Sequence, residues 1–544
     1  MRGEIEEEEE MTIFGETISH AAQWATDTNQ RIIKWLSLID PIDDTIFGTE
    51  NNDTLSAQAD GVIVFGLDGD DDLSSAFNRT ALIGGRGHDT LTTEVVIPLQ
   101  GSEPVHGLAI QAGGAGNDTL DATVTLQGGD VTVQDRQLRA EVLLDGGSGN
   151  DVINAVANVA LPVFGDVTVK THIFGGAGND VIDAVADARG TLNRNFAMNC
   201  VDGGSGDDHL TAHALTEFNG SSGTAINILK GGCGNDVLDA EARGVSNATE
   251  LVSNSLEGGR GDDVLRAFNL TDSNSRAPVG INKLWGNEGD DVLEATHSTD
   301  GENTITDVTN RLDGGNGDDS LKAESTALGG FVSALNQLNG GEGKDILSAH
   351  LEADAHGGPS LLDLNLYDVA NVLNGGAGCD QLDAFLSVTA FSFVTDDSRA
   401  ENRLNGGGGN DTLVATVETG SVGASLLKGG SGNDQITVFG GSGNILDGGN
   451  GNDTLTGGIG DDHLTGGNGA DRFVFAPQNG HDTLDFEVGS DIIDLTTFAA
   501  NGIHSFADLS IEVTGGSSIV HFDLNNDLTV VGVQSLGTSD FWFA

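Results

Sequence analysis

The sequence predicts an all-β solenoid built from wide coils of about 28 residues, preceded by a short helix and followed by a β-rich segment. Three observations predict it. A glycine-rich turn ending in aspartate recurs through most of the 544 residues. Alanine and asparagine form two further columns at fixed offsets from that turn. The apolar residues beside those columns alternate with period two, as half-buried strands require.

The turn follows the pattern G-[GX]-x-[GN]-x-D-x-[LI] and starts at residues 48, 66, 84, 113, 146, 175, 203, 231, 258, 286, 314, 340, 375, 406, 429, 440, 448, 457 and 466. Eighteen of these nineteen turns carry aspartate at the sixth position: Asp53, Asp71, Asp89, Asp118, Asp151, Asp180, Asp208, Asp236, Asp263, Asp291, Asp319, Asp345, Asp380, Asp411, Asp434, Asp453, Asp462 and Asp471. The exception is the turn at 440, "GGSGNI", where the pattern places Ile445 in the aspartate's seat. Glycine permits positive φ angles that aim backbone carbonyls inward. Aspartate adds a hard anionic oxygen, and the combination suits calcium with its six to eight oxygen ligands. All eighteen aspartates are therefore candidate metal ligands.

"GGNGNDTLT" at 448–456 and "GGIGDDHLT" at 457–465 resemble the hemolysin-type (RTX) calcium-binding nonapeptide GGxGxDxUx, and related turns recur through residues 48–471. The resemblance implies a right-handed parallel β-roll with calcium held between successive turns by the aspartate carboxylate and backbone carbonyls. The middle of the chain departs from the nine-residue period. One turn per coil of roughly 28 residues leaves about ten for each of two strands plus a reversal, so the calcium edge lies on one side only. The turns at 440 and 457 fall between same-edge neighbours and occupy the opposite edge.

Composition agrees with a cation-dependent fold. The formal charge is -61, with 84 acidic and 23 basic residues, which disfavours nucleic acid, anionic membrane and acidic polysaccharide as partners. Hydrophobic content of 37% still supplies apolar surface to bury once the carboxylates are neutralised. Cys200, Cys233 and Cys379 cannot all pair and show no zinc or redox spacing. No stretch reaches the roughly 18 apolar residues of a membrane helix, and residues 1–10 lack an apolar core, so neither a membrane-spanning helix nor a Sec-type leader is expected.

Nine residues after the first glycine stands alanine in eleven successive coils, from Ala122 to Ala415. Four residues before the turn stands asparagine in eight: Asn199, Asn227, Asn254, Asn282, Asn310, Asn336, Asn371 and Asn402. These share parity with Leu229, Leu256, Leu284 and Leu312, so they should face inward and stack as a hydrogen-bonded ladder.

The chain divides into an acidic tail and lead-in (1–18), an amphipathic helix and cap (19–47), short-to-long first coils (48–112), wide coils (113–439), a nonapeptide roll (440–471) and a C-terminal cap with secretion segment (472–544). The helix, residues 19–39, has Ser19 as N-cap and Trp24, Thr28, Ile32, Trp35, Leu36 and Ile39 on one stripe, and is expected to cap the stack or to dock on another subunit or a lipid surface. Residues 470–498 and the ending Asp540-Phe541-Trp542-Phe543-Ala544 resemble the type I secretion segment of the serralysin family. The resemblance implies a partner in the type I secretion machinery and a secreted, extracellular or cell-surface location.

HExxH, GxSxG and a phosphate loop are all absent. The paired carboxylates Asp207-Asp208, Asp262-Asp263 and Asp290-Asp291 are the fifth and sixth residues of turns, where metal ligation explains them better than acid–base catalysis. The expected function is a non-enzymatic, calcium-folded structural protein that self-assembles into a surface layer, fibril or adhesive. The alternative is a polysaccharide lyase or epimerase on the same solenoid.

Overall fold

The computed structural model describes residues 28–544 apart from 40, 102, 129–135, 161–164, 191–193, 218–221, 246–248, 272–276, 300–304, 330, 356–368, 391–399, 419–420, 422 and 524. Glu6 to Glu10, Ser19 and Trp24 lie outside the described residues. The chain separates into two compact units, residues 1–221 with 225–236, and residues 222–224 with 237–544.

In the first unit successive strands alternate between two sheets of parallel strands. One sheet runs through Val62–Asp68, Thr80–Arg86, Val105–Ala115, Gln137–Ser148, Asp166–Ala177 and Asn195–Ser205. The other runs through Thr90–Pro98, Thr119–Gln127, Val152–Ala160, Val181–Arg189 and His209–Glu217. Register is held by the turn, because Ala122, Ala155, Ala184 and Ala212 are direct cross-strand partners although their coils differ in length. The extra residues fall between strands and leave the paired stretches intact. Two positions before each alanine, Leu120, Ile153, Ile182 and Leu210 fill the interior.

The described part of the helix, α1, spans Thr28–Leu36. Trp35 and Ile39 pack against Ile63, Ala81, Leu108, Ile110, Leu143 and Phe174. Each fully buried side chain of this size stabilises by about 1.5–3 kcal/mol. Arg31 anchors the helix with an ion pair to buried Asp145 (3.1 Å), its guanidinium 4.0 Å from the centre of the Phe174 ring. The row Ile63, Ala81, Ile110 and Leu143 has the parity opposite to interior Val64, Leu82 and Leu144. This sheet is thus apolar on its outer face too, and the described helix covers that face rather than closing the end of a stack.

The second unit repeats the plan. Ala240, Ala267, Ala295, Ala323, Ala349, Ala384 and Ala415 stand in one cross-strand row that continues to Val438. Strands shorten towards the nonapeptide region, as in Gln435–Phe439 and Thr454–Thr456. Three antiparallel strands, Ser510–Thr514, Ser517–His521 and Asp527–Val530, follow, and the last pairs in parallel with His481–Asp485. A hairpin at a sheet edge protects it from edge-to-edge pairing.

The asparagines form the expected ladder and also do something more. All eight are fully buried. In the second unit Asn254, Asn282, Asn310, Asn336, Asn371 and Asn402 are linked Nδ2 to Oδ1 at 2.9–3.0 Å. Nδ2 also donates across the interior to a carbonyl of the facing sheet: Asn254 to Phe268, Asn282 to Thr296, Asn310 to Glu324, Asn336 to His350, Asn371 to Phe385 and Asn402 to Thr416. In the first unit Thr171 donates to Asn199, and Asn199 to Asn227. The column is a spine that ties coil to coil and sheet to sheet.

Candidate metal centre

The turn needs glycine at three positions for two reasons. In the turn at 175, Gly176 and Gly178 have φ of 117° and 124°, and a Cβ on either would lie 2.0 or 2.1 Å from a carbonyl oxygen of the preceding coil. Gly175 is extended, but a Cβ there would lie 2.4 Å from Oδ2 of Asp180 and 2.6 Å from the carbonyl oxygen of Gly203 in the next coil. The first glycine therefore leaves the space in which a carboxylate and a carbonyl converge. The same cradle recurs at Gly84, Gly113, Gly146, Gly340, Gly375, Gly406, Gly429 and Gly448.

Within each unit, Oδ1 of the turn aspartate accepts a hydrogen bond from the backbone N–H of the equivalent aspartate one coil earlier. In the first unit this ladder climbs from Asp53 through Asp71, Asp89, Asp118, Asp151, Asp180 and Asp208 to Asp236, at 2.7–2.8 Å. In the second it runs from Asp263 through Asp291, Asp319, Asp345, Asp380, Asp411, Asp434 and Asp453 to Asp471. The turn spacing thus places the carboxylates in columns one strand apart.

Oδ2 is the atom the fold leaves unsatisfied. In Asp71, Asp89, Asp118, Asp151, Asp180, Asp208, Asp291, Asp319, Asp345, Asp380, Asp411, Asp434, Asp453, Asp462 and Asp471 it is buried without a hydrogen-bond partner. A buried unpaired carboxylate is strongly disfavoured, so burial raises these acids. Desolvation pushes Asp118, Asp180, Asp208, Asp319 and Asp462 up to about 7, and Asp89, Asp151, Asp236, Asp291, Asp345 and Asp453 up to about 6. Among the described residues no three His, Cys, Asp or Glu side chains converge on one point. The donor set is instead one carboxylate oxygen per coil beside backbone carbonyls, which fits a hard, oxygen-seeking dication and not zinc.

The columns extend further than the turn pattern. Asp471 donates its N–H to Asp491, and Asp462 to Asp482, both outside any double-glycine turn. At these ends Oδ2 is already engaged, accepting from the Glu487 N–H in Asp491 and from Asn479 in Asp482. Asp53, the first member, is closed in the same way by the Thr49 N–H and hydroxyl. The turn at 440 needs a correction. Ile445 pairs with His463 as the first residue of a strand, and Asn444 stands level with Asp462, donating to its Oδ1 through both N–H and Nδ2. The turn is one residue short, so a neutral amide takes the carboxylate's place.

The fifth turn residue forms a second ladder of opposite sense, its side chain accepting from the backbone N–H one coil later. Asn117, Asn150, Asn179 and Asp207 form such a run to Asn235, as do Asp262, Asp290 and Asp318 to Lys344. Asp207, Asp262 and Asp290 are accounted for by this stacking. Cys379 fills the same role, its Sγ receiving the Asn410 N–H, and His88 does so through Nδ1 towards Asn117. All three cysteines are free.

Coils in parallel register, stacked by their turns and lined along an edge with carboxylate and carbonyl oxygens, define a calcium-binding parallel β-solenoid. The family model for the RTX calcium-binding nonapeptide repeat matches at residues 47–76, 143–155, 172–187, 253–269, 279–296, 297–325, 398–416, 419–444 and 439–473. The chain is an RTX, hemolysin-type repeat protein, and calcium is its ligand. No curated protein matches it. Among the described residues no helix is long and apolar enough to cross a membrane.

Proposed function

We propose that this chain is a non-enzymatic extracellular structural protein, a surface-layer, fibril or adhesive component, exported by type I secretion and wound on calcium outside the cell. The observation that carries this reading is the column of buried aspartate Oδ2 atoms that no protein donor satisfies. Calcium, when bound, would supply the positive charge that these groups lack and take their oxygens as ligands. The chain's own part is to align the carboxylates through the Oδ1 ladder and to aim carbonyls at them through the glycines. Where calcium is scarce, column-wide repulsion within a chain of charge -61 keeps the coils apart.

The C-terminal residues support export before winding. Phe541–Trp542 pairs with Ile492–Asp494, and Asp540 and Phe541 are buried. Trp542 is exposed, but Asp540 and Phe541 become accessible to an export machinery only when this pairing is undone. Circular dichroism of calcium-depleted protein is expected to show coil that converts to β at millimolar calcium, with electron microscopy showing layers or filaments. A calcium-independent spectrum overturns the winding, and monodisperse particles at all concentrations overturn the assembly role.

A further inference from the structure

The outer face of the second unit carries a groove of about 280 Å³ lined by Lys283, Trp285, Arg311, Asp313, Gln337 and Asn339. We infer that it binds an uncharged saccharide. Its residues come from the strands Ala277–Glu288, Ile305–Asn316 and Phe331–Glu342, at positions whose neighbours Leu284, Leu312 and Leu338 point into the core. The groove thus stands on a rigid sheet, which keeps the ordering cost of binding low.

Trp285 is 37% exposed, offering an apolar indole surface to solvent in a chain with four tryptophans. Beside it stand planar polar groups with the fork geometry that matches paired hydroxyls: a guanidinium, a carboxylate and two amides. Among the described residues Arg311 and Gln337 have neither a hydrogen bond nor an ion pair, so their donors are available. Asp313 is held in place by the Asn339 Nδ2 at 3.0 Å. The amide row continues outward, with Asn374 donating to Asn339 and Asn405 to Asn374, both at 2.7 Å. This row repeats at the strand spacing of about 4.8 Å and offers successive polar contacts to a linear polymer.

Charge selects among saccharides. Lys283 and Arg311 are balanced by Asp313 and by Glu257, which pairs with Trp285 on the adjacent strand. With the local charges cancelled and the molecule as a whole strongly acidic, a uronate gains nothing here and a neutral sugar is the better fit.

The site requires neither assembly nor the identity of the exported form, so its test is separate from theirs. Calcium-loaded full-length protein is titrated with neutral β- and α-linked glucose hexasaccharides and with a hexauronate, following tryptophan fluorescence and saturation-transfer NMR. Saturable binding of a neutral hexasaccharide is expected, weakened about tenfold or more in Trp285→Ala and in Arg311→Ala. The circular dichroism of both variants should match the parent. No saturable binding of either neutral probe, binding unchanged in both variants, or preference for the hexauronate each overturns the assignment. Dimerisation abolished by Trp285→Ala in the absence of sugar binding overturns it as well, giving the face to a second copy of the chain.

Discussion

Two polar columns run through the second unit, and they are opposites. The asparagine spine from Asn254 to Asn402 is buried, and its Nδ2 groups bond both the next coil and the facing sheet. The aspartate column is just as buried and just as regularly stacked, yet from Asp291 to Asp471 one oxygen of every carboxylate has no donor. An amide carries both donor and acceptor and can satisfy its own copies indefinitely. An ionised carboxylate carries acceptors only, so a column of them is completed by something cationic. The same stacking physics gives a self-sufficient interior and a ligand-dependent edge, and the choice between them rests on NH₂ against O⁻.

Acidification should change the comparison most, because it acts on the whole aspartate column and leaves the amides alone. The folded-state values of these acids are raised above the unfolded value of 3.8, to about 6 or 7 at most of the central positions. The stability contributed by their protonation is therefore full below the unfolded value and is lost as pH rises through 6 to 7. Calcium-depleted protein is expected to gain β structure between pH 7.5 and 5, read by circular dichroism. Loss of structure over that interval contradicts the burial of the column.

Asn310→Ala attacks the other side. It removes the acceptor of Asn282 and the donors to Glu324, Ser325 and Asn336, all inside the core. A buried network broken in this way costs about 2–4 kcal/mol. The thermal midpoint of calcium-loaded protein should fall while calcium stoichiometry holds. An unchanged midpoint removes the spine from the account of stability.

Asp319→Asn converts one rung of the edge into the chemistry of the spine. Oδ1 remains to accept the Asp291 N–H, but the charge at the cradle of Gly314 is gone. Titration calorimetry is expected to lose one or two calcium ions per chain. Full calcium stoichiometry would remove Asp319 from the ligand set.

The sequence made the repeating parts legible and hid the parts that depend on what faces what. Eighteen aspartates, the alanine row and the asparagine parity follow from offsets within one coil, and the sheet register bears out both rows. The cross-interior bond from Asn282 to Thr296 has no sequence signature, since it depends on how the two sheets face each other. Asp482 and Asp491 escaped because the double glycine is missing, although D-x-[LI] survives in "DTL" and "DII" with Leu484 and Ile493 pointing inward. Asn444 escaped because a one-residue deletion shifts the pattern but not the column. The placement of α1 was hidden because the outward row of Ile63, Ala81, Ile110 and Leu143 looks, in sequence, like more interior.

The smallest expected effect probes the turn that both columns depend on. At its second position Leu67 adopts φ of 91° where its stacked neighbour Gly85 has 122°, and it is 41% exposed, so it carries strain without burying much surface in return. A non-glycine residue in this region costs about 1–3 kcal/mol, partly offset by the about 0.5–1 kcal/mol entropy cost of glycine. Leu67→Gly should therefore stabilise the first unit by about 1 kcal/mol, seen as a small rise in the thermal midpoint. The reverse change, Gly85→Leu, is not symmetric, because its Cβ would lie 2.0 Å from the Leu67 carbonyl oxygen and push adjacent coils apart. If the two substitutions shift the midpoint equally, the turn's glycines serve φ alone. If Gly85→Leu also weakens calcium binding while Leu67→Gly leaves it unchanged, close coil contact is what sets the cation edge.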